Sequence, residues 1–244
     1  MPATPLSRVI SILRPLYHFI YPPACFACEK TLDDDEHRIC TDCLSTMHRL
    51  SVGDALYLEK RAELTARGNI SGLASVFHFE KDGTLQDLIH HLKYSEMTAI
   101  GVELGKELGN VLSPMLGAVS ITGIVPVPLH PLKLRERGYN QSEYICRGIR
   151  ATTGLPVVPN LLMRVRHTRT QTRLNTQERM ENVAKAFELN SRFASLVPGS
   201  TFLIVDDIIT TGATSNECAR VLKHHGAEKI FSGSIAVPDH THQP

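Results

Sequence analysis

The sequence predicts an α/β fold, a mostly parallel twisted sheet flanked by helices, preceded by a small four-cysteine module. Three observations carry this. First, an uninterrupted apolar run, Phe202 to Val205, reads as a strand buried on both faces. It leads through two adjacent carboxylates, Asp206 and Asp207, and a Thr/Gly-rich loop into a helical pattern. Second, strand-like and helix-like segments alternate from Leu73 to Val237, the order that strand–helix–strand crossovers impose. Third, Cys25-x2-Cys28 and Cys40-x2-Cys43 form two knuckles near the start of the chain. With 244 residues and 42% apolar content, the chain can bury one good core and carry a small accessory module. We expect residues 1–70 to hold an N-terminal helix, the cysteine module at about 22–46 and a connecting region, and 71–244 the main domain.

In order, Leu6 to Ile20 is apolar but broken by Arg8, Arg14 and Pro15, with no A-x-A site before the cysteines. That pattern predicts an amphipathic helix in a cytoplasmic protein rather than a signal peptide. No span approaches the ~18 apolar residues of a membrane helix. Each C-x-x-C knuckle aims two thiolates at one point. Together they supply a tetrahedral set for structural Zn2+ with no open catalytic position. Two disulfides are the alternative, disfavoured where cytoplasmic thiols stay reduced. Asp33, Asp34, Asp35 and Glu36 make the intervening segment acidic, which argues against its gripping DNA. Cys146 and Cys218 fall in helical patterns and are expected as small buried residues.

Residues 44 to 70 have weak periodicity and read as the connecting region, partly helical. Leu73 to Phe79 alternates as a strand, Leu85 to Tyr94 has helical spacing that ends near Lys93, and Gly101 to Leu116 is a second helix. Ile124, Val125 and Val127 form a short strand that Pro126 and Pro128 force into an extended loop. The loop continues through Pro131 into the donor-dense run Leu132 to Ser142 around Gly138, a second anion-facing loop at the same sheet edge. Ser142 to Thr152 is a helix stopped by Gly154 and Pro156. His167 to Arg173 is polar, basic and aperiodic, hence a mobile loop, and Glu178 to Ala186 is a short helical piece carrying Arg179 and Asn182. Lys229 to Val237 supplies the last strand, and His240 to Pro244 a disordered tail.

The chemistry concentrates in Val205-Asp-Asp-Ile-Ile-Thr-Thr-Gly-Ala-Thr214. Thr214-Ser-Asn-Glu217 has capping-box spacing, which predicts that the helix starts there. Its N–H groups and dipole would face a phosphate, with Gly212 letting the backbone come close. Neither a Walker lysine nor G-x-G-x-x-G is present, so nucleotide loops of those kinds are excluded. Two carboxylates beside a phosphate cradle make sense if they hold sugar hydroxyls, a metal ion or both. A ligand with a 5-phosphate, a ribose diol and Mg2+ fits. From His130 to Arg179, ten Lys and Arg stand against three acids, so this block expects pyrophosphate or nucleic acid. The loop at 167–173 is open to two uses, a lid over a charged leaving group or a grip on nucleic-acid phosphates.

Together these pieces resemble the ComF family of phosphoribosyltransferase-like proteins, GntX-type members included, over nearly the whole chain. The resemblance rests on Cys25, Cys28, Cys40 and Cys43, on Leu88-Ile-His-His-Leu-Lys-Tyr94, Val125-Pro-Val-Pro128 and Arg137-Gly-Tyr-Asn-Gln141. It also rests on Arg164-x-Arg-x-Thr-x-Thr-Gln171 with Arg179 and Asn182, and on the Asp206–Thr214 motif. It implies a zinc ribbon followed by a type I phosphoribosyltransferase fold that uses phosphoribosyl pyrophosphate with Mg2+. By resemblance, Asp206 and Asp207 hold the ribose hydroxyls directly or through Mg2+, and Thr210, Thr211, Gly212, Ala213 and Thr214 bind the 5-phosphate. Pro128, Leu129, His130, Arg137, Gly138, Tyr139, Asn140 and Gln141 face the pyrophosphate, with Lys93 a further substrate-binding residue. Arg166, Arg169 and Gln171 belong to the lid. Two functions follow: transfer of the phosphoribosyl group to an unidentified acceptor, or a non-catalytic phosphoribosyl-binding module. The family link to DNA uptake makes single-stranded DNA or uptake proteins the expected partners of either.

Overall fold

The apolar run that ends at the two acids forms an inner strand of the main sheet. In the computed structural model, residues 23–33, 38–116, 118–166 and 183–239 are described, and they divide into a small unit ending at Thr46 and a larger one beginning at Met47. Six strands are found among the described residues: β1 (Gly72–Phe79), β2 (Gly123–Pro126), β3 (Leu162–Arg164), β4 (Phe187–Leu189), β5 (Thr201–Ile208) and β6 (Lys229–Pro238). The main sheet has the order β1-β6-β5-β2, with every pairing parallel, while β3 and β4 form a separate antiparallel pair. The helices are α1 (Thr41–Ser45), α2 (Ala55–Thr65), α3 (Thr84–Tyr94), α4 (Thr98–Leu116), α5 (Pro131–Arg137), α6 (Gln141–Thr153) and α7 (Ala213–His224). No helix among the described residues is long and apolar enough to cross a membrane. The expected N-terminal helix, the acids Asp34 to Glu36, the 167–173 loop, Arg179, Asn182 and the tail from His240 lie outside the described residues.

Phe202, Leu203, Ile204 and Val205 are fully buried, as a parallel strand covered on both faces requires. β1 departs from its alternating pattern: Ala74, Ser75 and Val76 are all buried, and Ser75 shares a hydroxyl–hydroxyl bond of 3.0 Å with Ser234. Residues 47 to 70 do more than connect. Leu56, Tyr57 and Leu64 of α2 enter the core, and Tyr57 donates to the Leu73 carbonyl at 2.8 Å. The backbone of Leu50 donates to Val76, and His78 to His48, which extends the outer edge of β1.

Two local expectations are corrected. The run after Pro131 is a helix, not an extended loop. Pro131 occupies the first turn, where its missing N–H costs nothing. The His130 ring accepts from Leu132 N at 3.3 Å, and Gly138 closes the helix at φ +80. The expected capping box does not form either. α7 begins at Ala213, with Gly212 as its cap, and Glu217 instead accepts from Lys185 N at 2.7 Å and from Arg220. Gly212 holds φ +66, and a Cβ there would lie 2.2 Å from a Leu64 methyl, so both conformation and space demand glycine.

The contact that sets the site is between α4 and α6. A Cβ on Gly105 would stand 2.2 Å from the Ile145 carbonyl oxygen, and one on Gly148 would stand 2.1 Å from that of Val102. The helices thus touch backbone to backbone, and this fixes where α6 begins, at Gln141 and Ser142.

Candidate functional site

Asp206 and Asp207 are the last polar residues of β5, and the elements on either side of that strand end supply their partners. α6 presents two. Gln141 Nε2 donates to Asp207 Oδ1 at 3.3 Å, and Ser142 Oγ to Asp206 Oδ1 at 3.4 Å. Gln141 is itself oriented by Arg137, which donates to its Oε1. Asn140 holds this corner in place: its Nδ2 donates to the Val127 carbonyl at 3.0 Å and its Oδ1 caps α6 at Ser142 N, 3.1 Å away. From the other side Lys93, in the last turn of α3, forms an ion pair with Asp207 Oδ2. The Tyr139 hydroxyl donates to the Leu92 carbonyl and so pins the end of α3.

The two acids are electrostatically unequal. Burial works to raise both. At Asp207, 5% exposed, the Lys93 ammonium overcomes it and holds the carboxyl below its usual range. At Asp206, burial and then the charge of Asp207 push the pKa up to about 8. The pair is therefore one carboxylate and one site that holds a proton at neutral pH.

On the downstream side, Ile209 to Gly212 turn the chain into α7, whose first intrahelical bond runs from Asn216 N to the Gly212 carbonyl at 2.9 Å. Ala213 N donates to Thr211 Oγ1 at 3.4 Å, and the other first-turn N–H groups have no partner within the helix. Such an end, lined by Thr210, Thr211 and Thr214, suits a phosphate.

On the upstream side lies a cavity of about 360 Å³ lined by Lys93, Tyr94, Glu96, Lys133, Glu136, Arg137 and Tyr139. Burial, and then the charges of Arg164, Arg137 and Lys93, draw the Lys133 pKa down, with Glu136 opposing. An anion would relieve that crowding. Arg164 lies over the Phe187 ring at 5.3 Å, with burial lowering its pKa and Cys218 and Asp206 pulling it back.

Of the residues expected to bind or react, Asp206, Asp207, Lys93, Arg137 and Gln141 come together in one bonded network. Tyr139 lines the cavity, Gly138 closes α5, and Asn140 is spent on the backbone. Pro128, Leu129 and His130 form the partly buried link from β2 to α5. Arg166 is exposed just past β3, whereas Arg169 and Gln171 lie outside the described residues. Lys133 and Ser142 are additions. Both fall in the donor-dense run Leu132 to Ser142 that reads as an anion-facing loop, but only the tertiary fold brings Ser142 to Asp206.

In the small unit, the sulfurs of Cys25, Cys28, Cys40 and Cys43 all lie within 4.8 Å of one another, with Cys28 and Cys40 at 3.7 Å. A tetrahedron with zinc–sulfur bonds of about 2.3 Å has an edge of about 3.8 Å, so the donors fit zinc. Backbone N–H groups of Ala27 and Cys40 point at Cys25 Sγ at 3.4 and 3.2 Å, and that of Cys43 at Cys40 Sγ at 3.4 Å. Burial opposes ionisation of Cys25, but these N–H bonds prevail and lower its pKa to about 7.

Residues 154–242 match the phosphoribosyl transferase domain family. Competence protein F of Haemophilus influenzae is 36% identical over 113 residues, 46% of this chain and 49% of that protein. DNA utilization protein YhgH of Escherichia coli is 34% identical over 152 residues, 60% of this chain and 64% of that one. The match thus spans about half to two thirds of those relatives. Competence protein ComFC of Streptococcus pneumoniae is 26% identical over 84% of this chain and 90% of its own length. Among solved structures, an adenine phosphoribosyltransferase overlays at 16% identity and a TM-score of 0.39, covering 64% of this chain and 76% of that one. The chain is thus a homologue of the competence and DNA-utilization proteins, and it carries a phosphoribosyl transferase domain over residues 154–242.

Proposed function

We propose that the site binds phosphoribosyl pyrophosphate with Mg2+ and transfers its phosphoribosyl group to a nucleophile, releasing pyrophosphate. The observation that carries this is that Asp206 and Asp207 run directly into a Thr/Gly helix end and are bonded, through Lys93 and through Gln141 with Arg137, to residues that line the cavity. That sequence of charges matches a ligand with a phosphate, a diol and a diphosphate. Thr210 to Thr214 donate to the 5-phosphate, and the two aspartates accept from the ribose hydroxyls. Lys133, Arg137 and Lys93 face the diphosphate.

In transfer, the bond from the anomeric carbon to the diphosphate oxygen breaks and its electron pair leaves with pyrophosphate. The acceptor's lone pair forms the new bond, and the acceptor sheds a proton. Positive charge grows on the sugar and negative charge on the leaving group. The acidic pair, ionised once a cation is bound, stabilises the first and the cavity's cations the second. The hard carboxylate oxygens suit Mg2+, which when bound would neutralise the diphosphate and help hold the diol. A part for Arg166, Arg169 and Gln171 over the leaving group belongs to this proposal, and the latter two lie outside the described residues.

Calorimetric titration of the zinc-loaded chain with phosphoribosyl pyrophosphate tests this, with and without Mg2+. Metal-dependent binding is expected, and Asp207→Ala should weaken it at least about tenfold. Unchanged affinity in that variant refutes the assignment. The relatives' names support a second reading, in which the same site senses a phosphoribosyl ligand while the chain serves DNA uptake or utilization. It predicts no pyrophosphate release with any acceptor. It also predicts single-stranded DNA affinity that falls steeply with salt and disappears when Arg166, Arg169 and Arg173 are neutralised.

A further inference from the structure

We infer that Lys93 is a resident counter-ion of the acidic pair, which yields its place to the divalent cation by turning into the adjoining anion cavity. This takes the pair, as proposed above, to be the cation-binding carboxylates. The Lys93 ammonium is bonded to Asp207 Oδ2, and the same side chain lines the cavity with Lys133 and Arg137. It therefore adjoins both the acid and the cavity within the sweep of one flexible stem. The backbone beneath it stays put. Leu85, Leu88, Ile89 and Leu92 anchor α3 in the core, and the Tyr139 hydroxyl holds the Leu92 carbonyl.

Each position is favourable under a different condition. A carboxylate as buried as Asp207 is costly without a cation, so Lys93 stays with it while no other cation is present. A divalent ion on the same carboxylate would repel the ammonium at close range. In the empty cavity Lys93 would meet Lys133 and Arg137 beside the carboxylates Glu96 and Glu136, with no net gain over the buried Asp207. Once a diphosphate fills the cavity, Lys93 gains a partner there and leaves Asp207 free. A second link runs the same way, since Arg137 faces the cavity and orients Gln141, which holds the other oxygen of Asp207. Anion and cation must then assist each other's binding, and the coupling is reciprocal.

The test is Mn2+ binding to the zinc-loaded full chain, followed by the paramagnetic resonance of free Mn2+, beside pyrophosphate titration in metal-free buffer. Lys93→Met should bind Mn2+ at least about tenfold more tightly than wild type, because a competing charge is gone. It should bind pyrophosphate more weakly, while Lys93→Arg stays near wild type in both. Asp207→Asn placed on top of Lys93→Met should abolish the gain in Mn2+ affinity. Mn2+ affinity in Lys93→Met no higher than wild type overturns the proposal, as does unchanged pyrophosphate binding. Should Lys93→Met fail to fold by circular dichroism, Lys93→Gln carries the same test. A tighter Mn2+ site in a protein that ignores phosphoribosyl pyrophosphate would leave the role of Lys93 standing and remove the ligand reading.

Discussion

Asp206 and Asp207 are identical side chains on adjacent residues, yet their surroundings drive them in opposite directions. The difference is Lys93, which reaches only Asp207. In metal-free protein, Asp206 has a folded pKa of about 8 against an ordinary 3.8. The stability it contributes is thus complete below about pH 4 and is lost as pH rises through 8. Asp207, whose pKa is lowered, contributes above its ordinary value and loses that as pH falls. The melting temperature of the metal-free protein should therefore decline between about pH 4 and 8, and Asp206→Asn should flatten that decline. An unchanged slope in this variant would show that Asp206 is ionised at neutral pH. The two acids and the Thr/Gly loop after them were legible in the sequence because they are contiguous. Lys93, Gln141 and Ser142 reach them from α3 and α6, and no local pattern records which aspartate each one touches.

At the scale of elements, the decisive contact is glycine against backbone. Gly101, Gly105 and Gly109 recur every fourth residue along α4, on the face that meets α6. A methyl group at Gly148 would meet the Val102 carbonyl oxygen and the Gly105 backbone, neither of which can rotate away. Gly148→Ala should cost about 3 kcal/mol in urea denaturation. Because α6 carries Gln141 and Ser142, it should also weaken phosphoribosyl pyrophosphate binding. Loss of stability below about 0.5 kcal/mol would mean that the helices can slide apart freely. Helices and strands with strong periodicity were readable from the residues. α5 was not, because Pro126, Pro128 and Pro131 together read as one extended loop, whereas Pro131 serves as a first-turn residue. The start of α7 was also misplaced: the capping-box spacing at Thr214 to Glu217 was outweighed by Gly212, which the close approach of Leu64 requires.

For the whole molecule, the division after Thr46 separates a unit with four sulfur donors from one with a large apolar core. Removal of zinc should therefore act on the first unit. Chelation, or Cys40→Ser, should release the metal, as read by elemental analysis, and lower one calorimetric transition while leaving that of the larger unit in place. A single transition that shifts as a whole would mean the units melt together. The spacing of the cysteines announced their cluster, because each knuckle is local. The order of the strands was not announced, since β6 could have joined either edge of the sheet on local grounds.

That order has a consequence for how the protein is made. The last strand lies between the first and β5, and its Ser234 meets Ser75 across 159 residues of chain. A nascent polypeptide on the ribosome must carry β1 with its inner edge unpaired until nearly the whole domain has been translated. Closure over so long a separation is slow, and the waiting edge is exposed to mispairing. A message truncated before Lys229 would yield two sheet fragments with nothing to join them. Even with every residue of the acidic pair present, such a product would be a substrate for chaperones and proteases.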